Sequence, residues 1–560
     1  MTSRNDDSLP PAPPAQDHPA DPSRRKLFES AAALGMATLL PEWAAGATPP
    51  PTSDLSGQGD LDQRLRARVK NVVVIYLENR SFNNLFADFP GLGQPLSALS
   101  LADCLQRDRD GSTLAFLPKI WGGMVQKGQT LGGKYYLIDE KQISGLENRP
   151  FTLKDAEGQP LPPGVITRDL WHVFYQNQMQ INGGRNDGFV AWGNSGALVM
   201  GRYGASASNL NQWQIARRYT LCDRFFMAAF GGSFLNHQFL AAARAPVYPD
   251  AAHSPASGKI ALLQDGPLGT QLTLAPDSPT SAMEGPPRFV RDGAISPDGY
   301  AVNTMAPPYQ PSYVAPAPGG DPLMADPDNP ATLPPQSHVT IGDLLTQKNL
   351  SWAWYGGAWQ AALEHRGGAD APNFQYHHQP FNYFSQFAPG SAQRAQHLLD
   401  GGLGDSPVSN RFLADAAAGK LPAVAFYKPQ GNLNLHAGYS DVESGDRHVA
   451  NVLAHLEHSP QWDNMVVVVT YDENGGWWDP VAPPPGDRWG PGSRVPAIVV
   501  SPFARKQTVD HTFYDTTSIL RLITRVFDLP TLEGIAARDA AFRARGRVGP
   551  GDLSAALDLS

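Results

Sequence analysis

Along this chain the apolar positions gather in short unbroken runs rather than in long alternations. Val72 to Leu77, Ala423 to Phe426, Met465 to Tyr471 and Ala497 to Val500 are each rich in aliphatic or β-branched residues and bounded by turn formers. A strand with one wet face alternates polar and apolar residues, so runs without alternation predict strands buried on both faces, as in a mostly parallel sheet. Helix-like stretches separate them, at Asn209 to Tyr219, Phe234 to Ala243, His448 to Leu456 and Thr516 to Phe527. This succession of strand and helix predicts an α/β layered fold.

The pattern breaks from about 245 to 336, where Pro, Gly and Asp crowd the chain in runs such as Ala306-Pro307-Pro308 and Ala315-Pro316-Ala317-Pro318. Such a composition does not readily build a core of its own, so the segment is expected to be a loop-rich insertion on a single catalytic domain spanning 48–560. No internal repeat is visible, which argues against solenoids and propellers. With 560 residues, 41% of them hydrophobic and 17% charged, the chain can bury a large core.

Charge narrows the function. A formal net charge of -9, with no long basic run, lacks the footprint of a nucleic-acid binder, so an anionic substrate would need locally placed cations or a metal. Two cysteines, Cys104 and Cys222, are too few for a disulfide framework or a Cys-based zinc site, although one disulfide stays open. At the N-terminus Ser23-Arg24-Arg25-Lys26-Leu27-Phe28 precedes a weakly apolar run from Ala31 to Leu40 and then Ala45-Gly46-Ala47. This reads as a twin-arginine signal over 1–47 with a small-residue cleavage site; the plainer alternative is an amphipathic surface helix with an incidental Arg pair. Ten apolar residues are too few to span a bilayer. The expectation is export by the twin-arginine machinery to the periplasm or beyond, with a soluble mature chain from near Thr48 and no stable membrane span.

Two of the strand runs end in acidic groups. Val72 to Leu77 leads directly into Glu78-Asn79-Arg80-Ser81-Phe82, and Met465 to Tyr471 into Asp472-Glu473-Asn474-Gly475-Gly476. Ligands bind at the carboxyl ends of strands in open α/β sheets, so Glu78 and Asp472 are expected to converge. Hard oxygen donors there suit a divalent cation able to act as a Lewis acid on phosphate oxygens, whereas a lone acidic residue would more often cap a turn.

Glu78-Asn79-Arg80-Ser81-Phe82-Asn83 and Thr470-Tyr471-Asp472-Glu473-Asn474-Gly475-Gly476-Trp477-Trp478-Asp479 resemble the two signatures of the phosphoesterase superfamily that holds bacterial acid phosphatases and phospholipases C. The likeness runs from about Val72 to Leu529 and implies an alkaline-phosphatase-like three-layer sandwich. It also implies roles. Ser233, in Gly231-Gly232-Ser233-Phe234-Leu235-Asn236-His237, matches the family's nucleophilic position, where residue chemistry alone suggests a helix cap. His172, His377, His378 and His436 match segments whose histidines line the phosphate pocket, and His511 is assigned a structural role. Glu78, Asn79, Asp472 and Glu473 would hold the divalent cation, for which calcium, magnesium, manganese, iron or zinc all suit the donor set. The chain departs from the family at Asn83, usually Asp, and at Pro480, usually His.

The activity implied is hydrolysis of phosphomonoesters through a metal-assisted phosphoserine. Should imidazolium be required, activity would peak on the acid side. Residues 177–180, the Gly-Gly-Ser turn and the paired histidines look more like the acid phosphatase branch, so phospholipase C action on a phospholipid head group is the first rival. A non-catalytic phosphate- or lipid-binding protein is the second. A sulfatase is set aside because no sulfatase signature is present.

Overall fold

The structure, a computed structural model, describes residues 55–266, 269–365 and 371–560. The expected leader over 1–47 lies outside the described residues. Contacts divide the chain into two units, 1–58 and 59–560, and the second carries the fold.

Eight strands form the main sheet: β1 (Asn71–Leu77), β2 (Thr220–Cys222), β3 (Trp352–Gly357), β4 (Leu398–Gly402), β5 (Val424–Lys428), β6 (Met465–Tyr471), β7 (Ala497–Val500) and β8 (Thr508–Asp510). Their order across the sheet is β4-β3-β5-β1-β6-β7-β2-β8. From β4 to β6 every pairing is parallel, with Val73 of β1 opposite Ala425 on one side and Val467 on the other. Strand β7 runs antiparallel to both neighbours, and β2 and β8 are again parallel. Every residue of β1 and β6 is buried, as their unbroken apolar sequences require.

Side-chain alternation assigns the covering layers. On one face Tyr76 donates to the Asn236 carbonyl at 3.2 Å, and Trp354 packs on Phe426 and lies 6.0 Å from the His237 ring. On the other face Tyr427 stacks on Phe412 with ring centres 4.4 Å apart, and Tyr355 meets the same ring edge-on. The first layer contains α2 (Ser233–Ala242), packed against Ile341–Gln347 and Thr517–Phe527; the second contains α3 (Arg411–Ala417) and α4 (Val442–Glu457), with α1 (Asn211–Arg218) beside α4. The result is a three-layer α/β sandwich with a mostly parallel central sheet.

Ends of elements differ from expectation where a polar residue decides them. Helix α4 starts at Val442 rather than at His448, because the Asp441 side chain caps it by accepting from Ser444 N at 2.7 Å. Strand β5 runs on through Tyr427 and Lys428, two residues past its predicted end.

The described residues of 245–336 form turns, two short 3-10 helices (Ala251–His253 and Pro255–Lys259), one antiparallel strand pair (Leu263–Gly266 with Gly269–Leu272) and isolated bridges. The segment is fastened by Tyr383 donating to the Met305 carbonyl at 2.7 Å and by Phe174 N donating to Asn303 Oδ1 at 2.9 Å, and it contributes Ala301, Val302 and Leu333 to the core. Both cysteines are buried free thiols, so the disulfide left open by the sequence is not formed.

Candidate active site

Strands β1 and β6 lie side by side in register, with Leu77 opposite Tyr471, so the next residue of each emerges at the same sheet edge. There Asp472 N donates to the Leu77 carbonyl at 3.0 Å and Asn79 N donates to Asp472 Oδ1 at 3.1 Å. Asn79 adopts φ 60°, a left-handed conformation that asparagine tolerates better than most residues. The turn it makes brings the Asn79 amide and the Glu78 carboxylate to the same place. That place is Ser233 Oγ, which donates to Glu78 Oε2 at 3.0 Å and lies 3.4 Å from Asn79 Oδ1.

Ser233 is the first residue of α2, entered through Gly231 and Gly232. Gly231 has φ +90°, and a Cβ there would sit 2.6 Å from Phe174 N, so the turn that presents the serine requires glycine. The helix start also points unsatisfied backbone N–H groups toward any anion at Ser233.

Three carboxylates, Glu78, Asp472 and Glu473, are wholly buried here. Burial alone would raise the Glu78 pKa, but the Lys428 ammonium and His378 beside it hold its carboxyl well below the usual range. Lys428 Nζ touches Glu78 Oε1, and His378 Nε2 lies 2.9 Å from the same oxygen. Asp472 and Glu473 go the other way: burial, reinforced by the charge on Glu78, pushes both well above normal. Fully ionised, the three carboxylates would carry more negative charge than Lys428 neutralises.

Several of its buried atoms also make no hydrogen bond, among them Asp472 Oδ2, Glu473 Oε1, His237 Nε2 and His377 Nδ1. Buried polar atoms are almost always paired, so four orphans beside one acidic cluster need a missing partner. A divalent cation fits: Glu78, His237 and Asp472 offer ligand atoms all within 4.8 Å of one another, as do Glu78, His377 and His378.

Above Ser233 opens a cavity of about 330 Å³, whose walls include Asp169, His172, His377, His436 and Tyr439, with Val302 to Thr304 of the Pro-rich segment on one side. The expected histidines do not stand alike. His377 and His436 line the cavity, and burial lowers the pKa of each. His436 is also stacked on Tyr439, ring centres 4.2 Å apart. His172 lines it too, but its Nδ1 must donate to the Leu170 carbonyl at 2.6 Å, which leaves Nε2 to accept from Asn79 Nδ2 at 3.2 Å. That bond turns Asn79 Oδ1 toward the serine. His378 is outside the cavity lining, behind Glu78, with burial pushing its pKa down to about 4. His511 pairs with Asp223 at 2.9 Å, away from the cavity lining.

Two residues of the cluster were not singled out from sequence. His237 lies four positions after Ser233 and so on the same face of α2, with Nδ1 2.7 Å from the Ser233 carbonyl. Lys428 ends β5, and the strand-end logic that picked out Glu78 and Asp472 would have found it had the strand been extended. At the family departures, Asp479 is committed to structure: it pairs with buried Arg494 at 3.0 Å and accepts from Asn83 N at 2.9 Å.

A serine on buried carboxylates at the edge of a parallel sheet, beneath a polar cavity, defines a hydrolase site. The chain belongs to the Phosphoesterase family, which it matches over residues 69–530. It is similar to Phospholipase C B of Mycobacterium tuberculosis, 23% identical over 569 residues covering 94% of this chain and 85% of that protein. It is also similar to Non-specific phospholipase C6 of Arabidopsis thaliana, 34% identical over 149 residues, 21% of this chain and 29% of that one. A solved protein of the alkaline phosphatase superfamily from Vibrio parahaemolyticus aligns over 36% of this chain and 51% of its own, at 11% identity and a TM-score of 0.22. The chain is a hydrolase acting on phosphate esters. Among the described residues no helix is long and apolar enough to cross a membrane.

Proposed function

We propose that the protein is an exported phosphatase that hydrolyses phosphomonoesters through a phosphoserine at Ser233. The observation that carries this reading is the 3.0 Å contact of Ser233 Oγ with Glu78 Oε2, made at a helix N-terminus beneath the cavity. The reading of export rests on the twin-arginine pattern alone.

Glu78, Asn79, Asp472 and Glu473 would hold a divalent ion, which when bound would supply Lewis acidity toward the serine hydroxyl and the phosphoryl oxygens. The protein's own groups do the rest. Ser233 Oγ passes its proton toward Glu78 Oε2 and attacks phosphorus; the bond to the leaving oxygen breaks as the serine ester forms. The N–H groups opening α2 face the equatorial phosphoryl oxygens. Burial lowers the pKa of His377 and His436; both gain protons when a phosphoryl dianion enters, and one of them protonates the departing alkoxide. Water then attacks the phosphoserine and regenerates the hydroxyl. His172 holds Asn79 in the orientation that this geometry needs.

The second reading is phospholipase C action on a phosphodiester, supported by relatives named phospholipase C. The same serine and acidic cluster serve both reactions. Parallel assays on p-nitrophenyl phosphate and on phosphatidylcholine in mixed micelles test the choice. Turnover at least tenfold higher on the monoester is expected; the reverse preference would replace the first reading by the second.

A further inference from the structure

Glu78 stands between two sets of potential ligands. On one side are His377 and His378, on the other His237 and Asp472, and in each set the donor atoms lie within 4.8 Å of one another with Glu78 shared. On geometry alone the site offers two adjoining cation positions bridged by one carboxylate, the arrangement expected of a two-metal hydrolase.

The two positions are not equally free. Lys428 is wholly buried, and its ammonium touches Glu78 Oε1, the oxygen that also meets His378 Nε2 at 2.9 Å. The ammonium also approaches the Leu77 carbonyl at 3.5 Å and lies 5.3 Å from the centre of the Tyr76 ring. A carboxylate, a carbonyl and an aromatic face make a cage for a cation, and Lys428 already supplies it. Of the atoms without a hydrogen bond, His377 Nδ1 belongs to the first set, whereas Asp472 Oδ2 and His237 Nε2 belong to the second and Glu473 Oε1 lies next to Asp472 in the chain.

Charge counting agrees. With all three buried carboxylates ionised, as a bound cation would hold them, one ammonium leaves two negative charges, the number that a single divalent ion neutralises. A second divalent ion would leave the buried cluster with excess positive charge, at a high desolvation cost. Arg80, buried nearby, is turned to the Leu435 carbonyl and to the rings of Trp477 and Tyr203, and Arg494 is spent on Asp479.

We propose that Lys428 is a resident cation filling the position beside His377 and His378, and that it restricts the site to one divalent ion on the Asp472 side. The inference rests on the cation reading of the cluster given under Proposed function. It makes Lys428 a positioning residue, since it acts through Glu78 rather than on the substrate.

The test counts ions. The purified full chain is stripped with chelator, equilibrated with Mn²⁺, desalted and analysed for manganese per chain by mass spectrometry. Wild type is expected to bind one ion, Lys428→Arg one, and Lys428→Ser, which removes the charge and opens the space, two. Two ions in wild type, or one in a folded Lys428→Ser, overturns the proposal. Should Lys428→Ser not fold, electron paramagnetic resonance of Mn²⁺-loaded wild type decides by itself: an uncoupled single-ion spectrum supports the proposal, and an exchange-coupled pair overturns it. Absence of any ion from wild type would instead remove the cation reading beneath it, so the two failures are told apart.

Discussion

Ser233→Ala separates chemistry from architecture more cleanly than any other single change. The side chain loses one oxygen, which is nearly buried and whose hydrogen bond is the 3.0 Å contact to Glu78 Oε2. A hydrogen bond to a charged acceptor contributes about 1.5–3 kcal/mol. Because Lys428 still neutralises Glu78 from its other oxygen, where His378 Nε2 also lies 2.9 Å away, the net loss should sit near the lower bound, about 1.5 kcal/mol. In a chain this large that lowers Tm by less than about 5 °C. The rate should suffer far more, since the covalent route vanishes while the imidazoles and the helix N-terminus stay in place. A fall of about 10⁴ to 10⁶ in kcat/KM is expected, or about 5–8 kcal/mol at 1.36 kcal/mol per decade. Steady-state hydrolysis of p-nitrophenyl phosphate gives the rate, thermal denaturation gives the stability, and acid quenching with ³²P-labelled substrate followed by peptide mapping locates the phosphoserine. Activity of folded Ser233→Ala within tenfold of wild type, or label trapped on another residue, would refute the reasoning.

Three further expectations follow from the same geometry. Asp472→Asn removes a carboxylate that burial and Glu78 push well above its normal pKa; the metal-free variant should melt higher than metal-free wild type, yet retain less metal and turn over more slowly, and unchanged metal content would contradict a ligand role. Arg494→Met leaves Asp479 buried without its partner and should cost about 3–5 kcal/mol in urea unfolding, with part of the loss recovered in the Asp479→Asn, Arg494→Met double variant; a loss below 1 kcal/mol would show that the pair is not needed. His338, where burial and then Arg244 lower the pKa to about 4, should make stability depend on pH. Between about 6.5 and 4 the unfolded chain takes up a proton that the folded one refuses, so stability falls as pH drops through that window, by about 2 kcal/mol after allowing for partial exposure. His338→Gln should flatten that component when unfolding at pH 7 and pH 4.5 is compared.

The chain by itself determined the layers and half of the centre. The runs at β1, β6 and β7 could be read within one residue of their ends because a strand buried on both faces has almost no sequence freedom. Position at the end of such a strand was enough to mark Glu78 and Asp472. Strand β3, Trp-Ala-Trp-Tyr-Gly-Gly, was not legible, since its aromatic and glycine content fits a loop equally well and only pairing with β4 and β5 makes it a strand.

Tertiary structure alone decided how the histidines divide their work. His377 and His378 are adjacent in sequence and chemically identical, yet one lines the cavity and the other lies against Glu78, because a tight turn sends neighbouring side chains in different directions. His172 reaches Asn79 across 93 positions, and Lys428 reaches Glu78 across 350. Local sequence carries no signal for such pairs: Lys428 meets Glu78 because β5 lies beside β1, and His172 meets Asn79 because the extended segment before the helix Phe174–Ile181 passes over the end of β1.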